Sequence, residues 1–67
     1  MNRLREVRSH QRMSQMDLAR HAGVSRQMIS LIEVGRVRPT ARMEHNLSEL
    51  LGVPPSVLFP RVDEEDP

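Results

Sequence analysis

Sixty-seven residues leave room for one small domain, since independent domains usually begin at about 50 residues. Apolar residues make up 37% of the chain, enough for a single core, and the absence of cysteine excludes disulfides, thiolate zinc sites and cysteine nucleophiles together. The net charge of +1 hides an asymmetry, because residues 1–62 hold ten Arg against five acids, a formal +5, while Asp63, Glu64, Glu65 and Asp66 subtract 4.

The punctuation of the chain, Gly23, Gly35, Pro39, Gly52, Pro54-Pro55 and Pro60, separates segments in which apolar residues recur at helical spacing and never alternate for long. The fold class expected is therefore all-α. A first helix is predicted over about 2–11, with Leu4 and Val7 facing inward. Ser14 and Asp17 have the spacing of a capping box, with Met13 and Leu18 as its hydrophobic staple. The second helix that they open stops near Ala22-Gly23, where Gly23 suits a left-handed position. Ser25 caps a third helix from Arg26 to about Glu33. Its third position is Met28, so it lacks the acid of a capping box, which suits an anionic partner. Residues 34–39 read as a loop. Thr40 caps a fourth helix, about 41–51, with Met43, Leu47, Leu50 and Leu51 on its inner face and Gly52 as its stop. Pro54-Pro55 open a last short turn, and Val57, Leu58 and Phe59 are expected to close the core. The domain is expected over residues 1–61, and residues 62–67 read as an acidic, disordered tail.

Two short helices joined by Ala22-Gly23-Val24-Ser25 match the helix-turn-helix unit. Ala19 must be small where the two helices cross, Gly23 supplies the turn, and Leu18, Ile29 and Ile32 are the expected contacts between them. Arg26 and Gln27 fall at the N-terminal end of the second helix of this unit, the part that meets base edges in such motifs. Arg pairs bidentately with guanine and Gln with adenine. Met28 is suited to a thymine methyl. Ser14, Gln15 and Ser25 lie at helix N-termini, whose amides favour phosphate. The all-Arg basic set suits phosphate and guanine, and a codon bias would produce the same composition.

The run from Ser14-Gln15-Met16-Asp17-Leu18-Ala19 through Gly23-Val24-Ser25-Arg26-Gln27-Met28-Ile29-Ser30-Leu31-Ile32-Glu33 resembles the Cro/phage-repressor (XRE-like) family. The likeness continues through Gly35-Arg36, Pro39, Leu51-Gly52-Val53 and Leu58-Phe59, and so spans residues 2–60. It implies a compact five-helix, lambda-repressor-like domain and a transcriptional regulator, usually a repressor acting as a homodimer on a near-palindromic operator in double-stranded DNA. By position, it implies base contacts from Ser25, Arg26, Gln27, Met28, Ser30 and Leu31. It implies phosphate contacts from Ser14, Gln15, Arg8, Arg36 and Arg38, with Gln15 also positioning the recognition helix. Arg8 and Glu33 match a partly buried ion pair, and Leu47, Leu50, Val57 and Phe59 match a dimer surface. Three positions depart from the family: Val34 replaces Asn or Lys, His45 replaces an inward Leu on the fourth helix, and Ala22 replaces a larger aliphatic.

The other classes have less support. His10, His21 and His45 never fall at i, i+3 or i+4, so neither a metal site nor another cofactor is expected. A fold this small offers no pocket for catalysis, so the chain is not read as an enzyme. No segment approaches the roughly 18 apolar residues of a membrane span, and the N-terminus has no apolar signal core. A cytoplasmic protein is expected, on the nucleoid when bound to DNA. The alternatives are an antitoxin or restriction-modification controller of the same fold, and a protein-interaction module that has lost DNA binding.

Overall fold

The computed structural model describes residues 2–60. The expected acidic tail, 62–67, lies outside the described residues. Five helices follow one another, with no strand among the described residues: α1 (Leu4–His10), α2 (Gln15–Ala22), α3 (Arg26–Glu33), α4 (Ala41–Leu51) and α5 (Pro55–Leu58). The all-α, five-helix expectation holds.

The helix starts are set by local chemistry. Ser14 accepts from the Asp17 amide while the Asp17 carboxylate accepts from the Ser14 amide, completing the capping box of α2. Ser25 and Thr40 cap α3 and α4 through the Met28 and Met43 amides. The observed α1 is shorter than the predicted 2–11, because the residues before it are used in tertiary bonds. Asn2 Nδ2 donates to the Ile32 carbonyl at 2.8 Å, its Oδ1 accepts from the Leu4 amide at 3.0 Å, and the Arg3 amide donates to the Leu58 carbonyl at 2.8 Å.

The core is formed by Leu4, Leu18, Ala19, Ile29, Ile32, Leu47, Leu51 and Leu58, so every helix contributes at least one fully covered side chain. Each such Leu or Ile contributes roughly 1.5–3 kcal/mol relative to exposure. Leu18 and Ala19 of α2 and Ile29 and Ile32 of α3 belong to this one cluster, with Val24 of the turn packed on it, as the helix-turn-helix spacing requires. Gln11 Nε2 donates to the Leu51 carbonyl at 2.7 Å and so ties the end of α1 to the end of α4.

Three expectations about individual side chains are corrected. Leu47, assigned to a dimer surface, is completely buried. It shares the inward stripe of α4 with Met43 and Leu51 at four-residue spacing, leaving nothing for a partner to touch. His45, expected on the inner side of α4, is exposed, with Nε2 3.9 Å from Glu49 Oε2. It sits two residues from Leu47, about 200° around the helix. Val57, expected to close the core, is 37% exposed, whereas its neighbour Leu58 is fully covered.

Candidate nucleic-acid interface

The interface is built on a chain of polar side chains that begins in α1 and ends at the first residue of α3. Arg8 of α1 lays its guanidinium along the Glu33 carboxylate at the C-terminal end of α3, with Nε 2.6 Å from Oε2 and Nη2 3.3 Å from Oε1. Its third nitrogen, Nη1, donates to the Met13 carbonyl at 2.6 Å. The side chains of this pair are 11% and 1% exposed. Two-pronged Arg–carboxylate contacts are among the stronger and more directional of hydrogen bonds. The expected ion pair is present. Each of the three Arg8 nitrogens donates within the fold, which makes Arg8 an internal strut, and each Nη nitrogen keeps a second proton.

Gln15, the first residue of α2, continues the chain. Its Nε2 donates to Glu33 Oε1 at 2.9 Å, and its Oε1 accepts from Arg26 Nη1 at 3.3 Å. Those two neighbours fix the orientation of the amide. A carboxylate can only accept and a guanidinium can only donate, so the amide nitrogen must face Glu33 and the oxygen must face Arg26. Gln15 thus connects both ends of α3, and one proton of its amide nitrogen has no partner among the described residues. The expected role of Gln15 in positioning the recognition helix has a direct geometric basis here.

The N-terminal end of α3 is open. Ser25, Arg26 and Gln27 are exposed, Leu31 is exposed one turn further on, and Ser30 is half-buried. No acid occupies the first turn of α3. Apart from its bond to Gln15, the Arg26 guanidinium makes no ion pair among the described residues, so it can still present a fork to a base edge. Met28 behaves differently from its neighbours. It is half-buried and packs on the core, so the place a capping-box acid would take is filled by an apolar contact. Leu31, and not Met28, is the more exposed apolar side chain of α3.

Arg36 and Arg38 are exposed in the segment between α3 and α4, and Ser14 is exposed at the entry to α2. Val34, where the family prefers a polar residue, is 64% exposed. Its backbone amide still bonds to the Ser30 carbonyl at 3.1 Å, so the helix end is closed without a polar side chain. Two residues in this region were missed from the sequence. Asn2 holds the last turn of α3 through the Ile32 carbonyl, a partner 30 positions away that no local pattern signals. Arg12 takes a left-handed backbone with φ of 58°, for which an arginine gives no cue.

The polar strut beneath α3, the tight turn at Gly23 and the open end at Arg26 together form a helix-turn-helix unit. The family model described as a helix-turn-helix domain matches residues 2–58. The chain belongs to the helix-turn-helix family. Two relatives match it over nearly its whole length. One, described as an uncharacterised HTH-type transcriptional regulator, comes from Methanocaldococcus jannaschii and is 34% identical over 64 residues, covering 96% of this chain and 97% of its own. The other, with the same description, comes from Archaeoglobus fulgidus and is 33% identical over 63 residues, covering 94% of this chain and 90% of its own.

Elsewhere on this helix-turn-helix domain, an open groove of about 450 Å3 is lined by Glu44 of α4 and by Pro55, Ser56 and Phe59. Half-buried Leu50 and exposed Val57 belong to the same two helices. Among the described residues no three His, Asp or Glu side chains gather as a metal site would need, and no helix is long and apolar enough to cross a membrane.

Proposed function

We propose that this protein is a DNA-binding transcriptional regulator that represses by occupying a near-palindromic operator. The observation that carries this reading is the exposed, acid-free N-terminal end of α3, with Arg26 and Gln27 foremost and Gln15 holding Arg26 from behind. Membership of the helix-turn-helix family and relatives described as transcriptional regulators support it. Ser25, Arg26, Gln27, Ser30 and Leu31 read base edges in the major groove. Ser14, Gln15, Arg36 and Arg38 hold the phosphates, and these contacts supply most of the affinity.

One domain of this size buries too little surface for tight specific binding alone. A homodimer doubles the contacts and sets two recognition helices about 34–36 Å apart. Its surface is assigned to α4 and α5, through Leu50, Val57 and Phe59 around the groove beside Glu44. DNA bound in this way places the protein in the cytoplasm, on the nucleoid.

Selection from a random duplex pool is the direct test, because it returns the operator and its half-site spacing together. Two inverted half-sites about one helical turn apart are expected, with affinity falling linearly in a plot of log K against log salt concentration. An anisotropy titration that finds no duplex binding at about 50 mM salt, where phosphate contacts are strong, rules out the reading in favour of a protein-interaction module.

A further inference from the structure

Four helices of this domain end in the same way, and one of the four has an unusual residue at the turning point. After α1, α2, α3 and α4 the chain passes through a left-handed residue: Arg12 (φ 58°), Gly23 (φ 73°), Gly35 (φ 82°) and Gly52 (φ 72°). In each case the next amide returns to the carbonyl five residues back, Met13 to Arg8, Val24 to Ala19, Arg36 to Leu31 and Val53 to Ser48, at 2.9–3.3 Å. This backbone strongly favours glycine, because any Cβ is crowded in the left-handed region. Three of the ends follow that preference. At the fourth the chain carries an arginine, and Arg12 is the only described residue other than glycine with positive φ.

The place of the exception bears on its meaning. Arg12 is exposed and has no carboxylate within 4 Å among the described residues. The backbone next to it is the anchor of the polar strut: the Met13 amide donates to the Arg8 carbonyl, and Arg8 Nη1 donates back to the Met13 carbonyl at 2.6 Å. The Arg12 backbone is therefore fixed two residues ahead of Ser14 and three ahead of Gln15, at the entry to α2. A cation kept on a strained backbone, with no ion-pair partner among the described residues, is a cost that the contacts within those residues do not explain.

We propose that Arg12 is a phosphate-contacting residue of the DNA interface, and that the strain of its left-handed backbone is accepted for that contact. This rests on the DNA-binding reading above and adds a contact to it. Phosphate contacts position the protein without reading sequence, so the contribution of Arg12 is uniform across operators.

The test sets stability against binding, which this proposal moves in opposite directions. In Arg12→Gly the thermal midpoint stays level or rises, because the strain is relieved. For each chain bound, binding to every duplex weakens by about eightfold near 0.1 M salt, and the slope of log K against log salt becomes shallower by about 1. Base preferences in a pool selection stay unchanged. Arg12→Lys keeps most of the slope, and Arg12→Asn, neutral and tolerant of left-handed backbone, behaves as Arg12→Gly does. An Arg12→Gly protein that melts no lower and binds with the wild-type slope overturns the proposal while leaving DNA binding intact. A wild-type protein that binds no duplex removes the proposal and the functional reading together.

Discussion

The two ends of α3 are built to opposite requirements. At its C-terminal end Glu33 is almost completely covered, bonded twice to Arg8 and once to Gln15, while Asn2 holds the neighbouring Ile32 carbonyl. At its N-terminal end Ser25, Arg26 and Gln27 are exposed, and one bond at 3.3 Å, from Arg26 to Gln15, is their only side-chain hydrogen bond to another helix among the described residues. A reading head needs both. The held end fixes where the helix points, and the open end leaves its donors and acceptors unspent, as the proposed base contacts require. The division also explains why an acid can occupy an interface meant for DNA. Glu33 is paired within the fold, so its charge is not presented to phosphate.

That contrast is tested most severely by removing the strut. Arg8→Ala leaves a buried carboxylate without its partner, a loss of roughly 3–5 kcal/mol. For a domain of this size that is a large part of the whole stability. Urea denaturation should show the midpoint falling sharply, or the protein unfolded without denaturant. A loss below about 1 kcal/mol, the range of surface pairs, would mean that the pair is solvated in solution and that α3 is held by packing alone.

Changes at the open end should leave the fold intact and alter only recognition. Arg26→Ala is expected to relax the preference at one base pair of each half-site, costing about 1–3 kcal/mol there, with the melting temperature nearly unchanged. Arg36→Ala, just past the held end, should weaken all sequences alike and reduce the salt slope by about 1 for each chain bound. Pool selection on both variants separates them. If Arg26→Ala lost affinity evenly and kept every base preference, Arg26 would be another phosphate anchor, and reading would pass to Gln27 and Ser30.

Much of this contrast is legible in the sequence, for reasons that differ by element. The limits of α3 and α4 follow from Ser25, Thr40 and Gly52, because caps act over three or four residues and their spacing carries the information. The same local rule placed Ser14 and Asp17. Where bonds run between distant segments it fails. Nothing near Asn2 signals that its amide will serve Ile32, and so α1 was expected to start too early. Leu47 is legible as an inward residue of α4, but its assignment to a dimer surface fails, because only packing by the other helices decides which of Met43, Leu47, Leu50 and Leu51 is fully covered. Met28 is a related case. It lies next to three exposed residues, but its rotation around α3 turns it to the core. Arg26 and Gln27 were legible as exposed, while the link through Gln15 required coordinates. Its partners are 11 and 18 positions away.

The smallest expected effect concerns the starts of α2 and α3, which share a serine cap but not an acid. In α2 the Asp17 carboxyl is held below its ordinary value of 3.8, first by the hydrogen bond from the Ser14 amide, then by the Ser14 hydroxyl, with Arg20 and His21 adding to the effect. A carboxyl whose folded value is depressed contributes stability that is fully present above its unfolded value and is lost as pH falls through the folded one. Asp17 is half-buried at the surface, where solvent still screens its carboxylate, so the contribution is modest. In α3 Ser25 accepts from the Met28 amide at 3.0 Å without an acid in reply, so that cap has no such pH dependence. Thermal melts at a series of pH values should therefore show Asp17→Asn slightly below wild type at neutral pH and converging with it as the carboxylate range is crossed downward. Ser25→Ala should instead lie about 1 kcal/mol below wild type throughout. A deficit in Asp17→Asn that persisted at acid pH would mean that the box of α2 works through shape and not charge. The absence of an acid in α3 would then follow from the packing of Met28 alone, with no need to keep negative charge away from DNA.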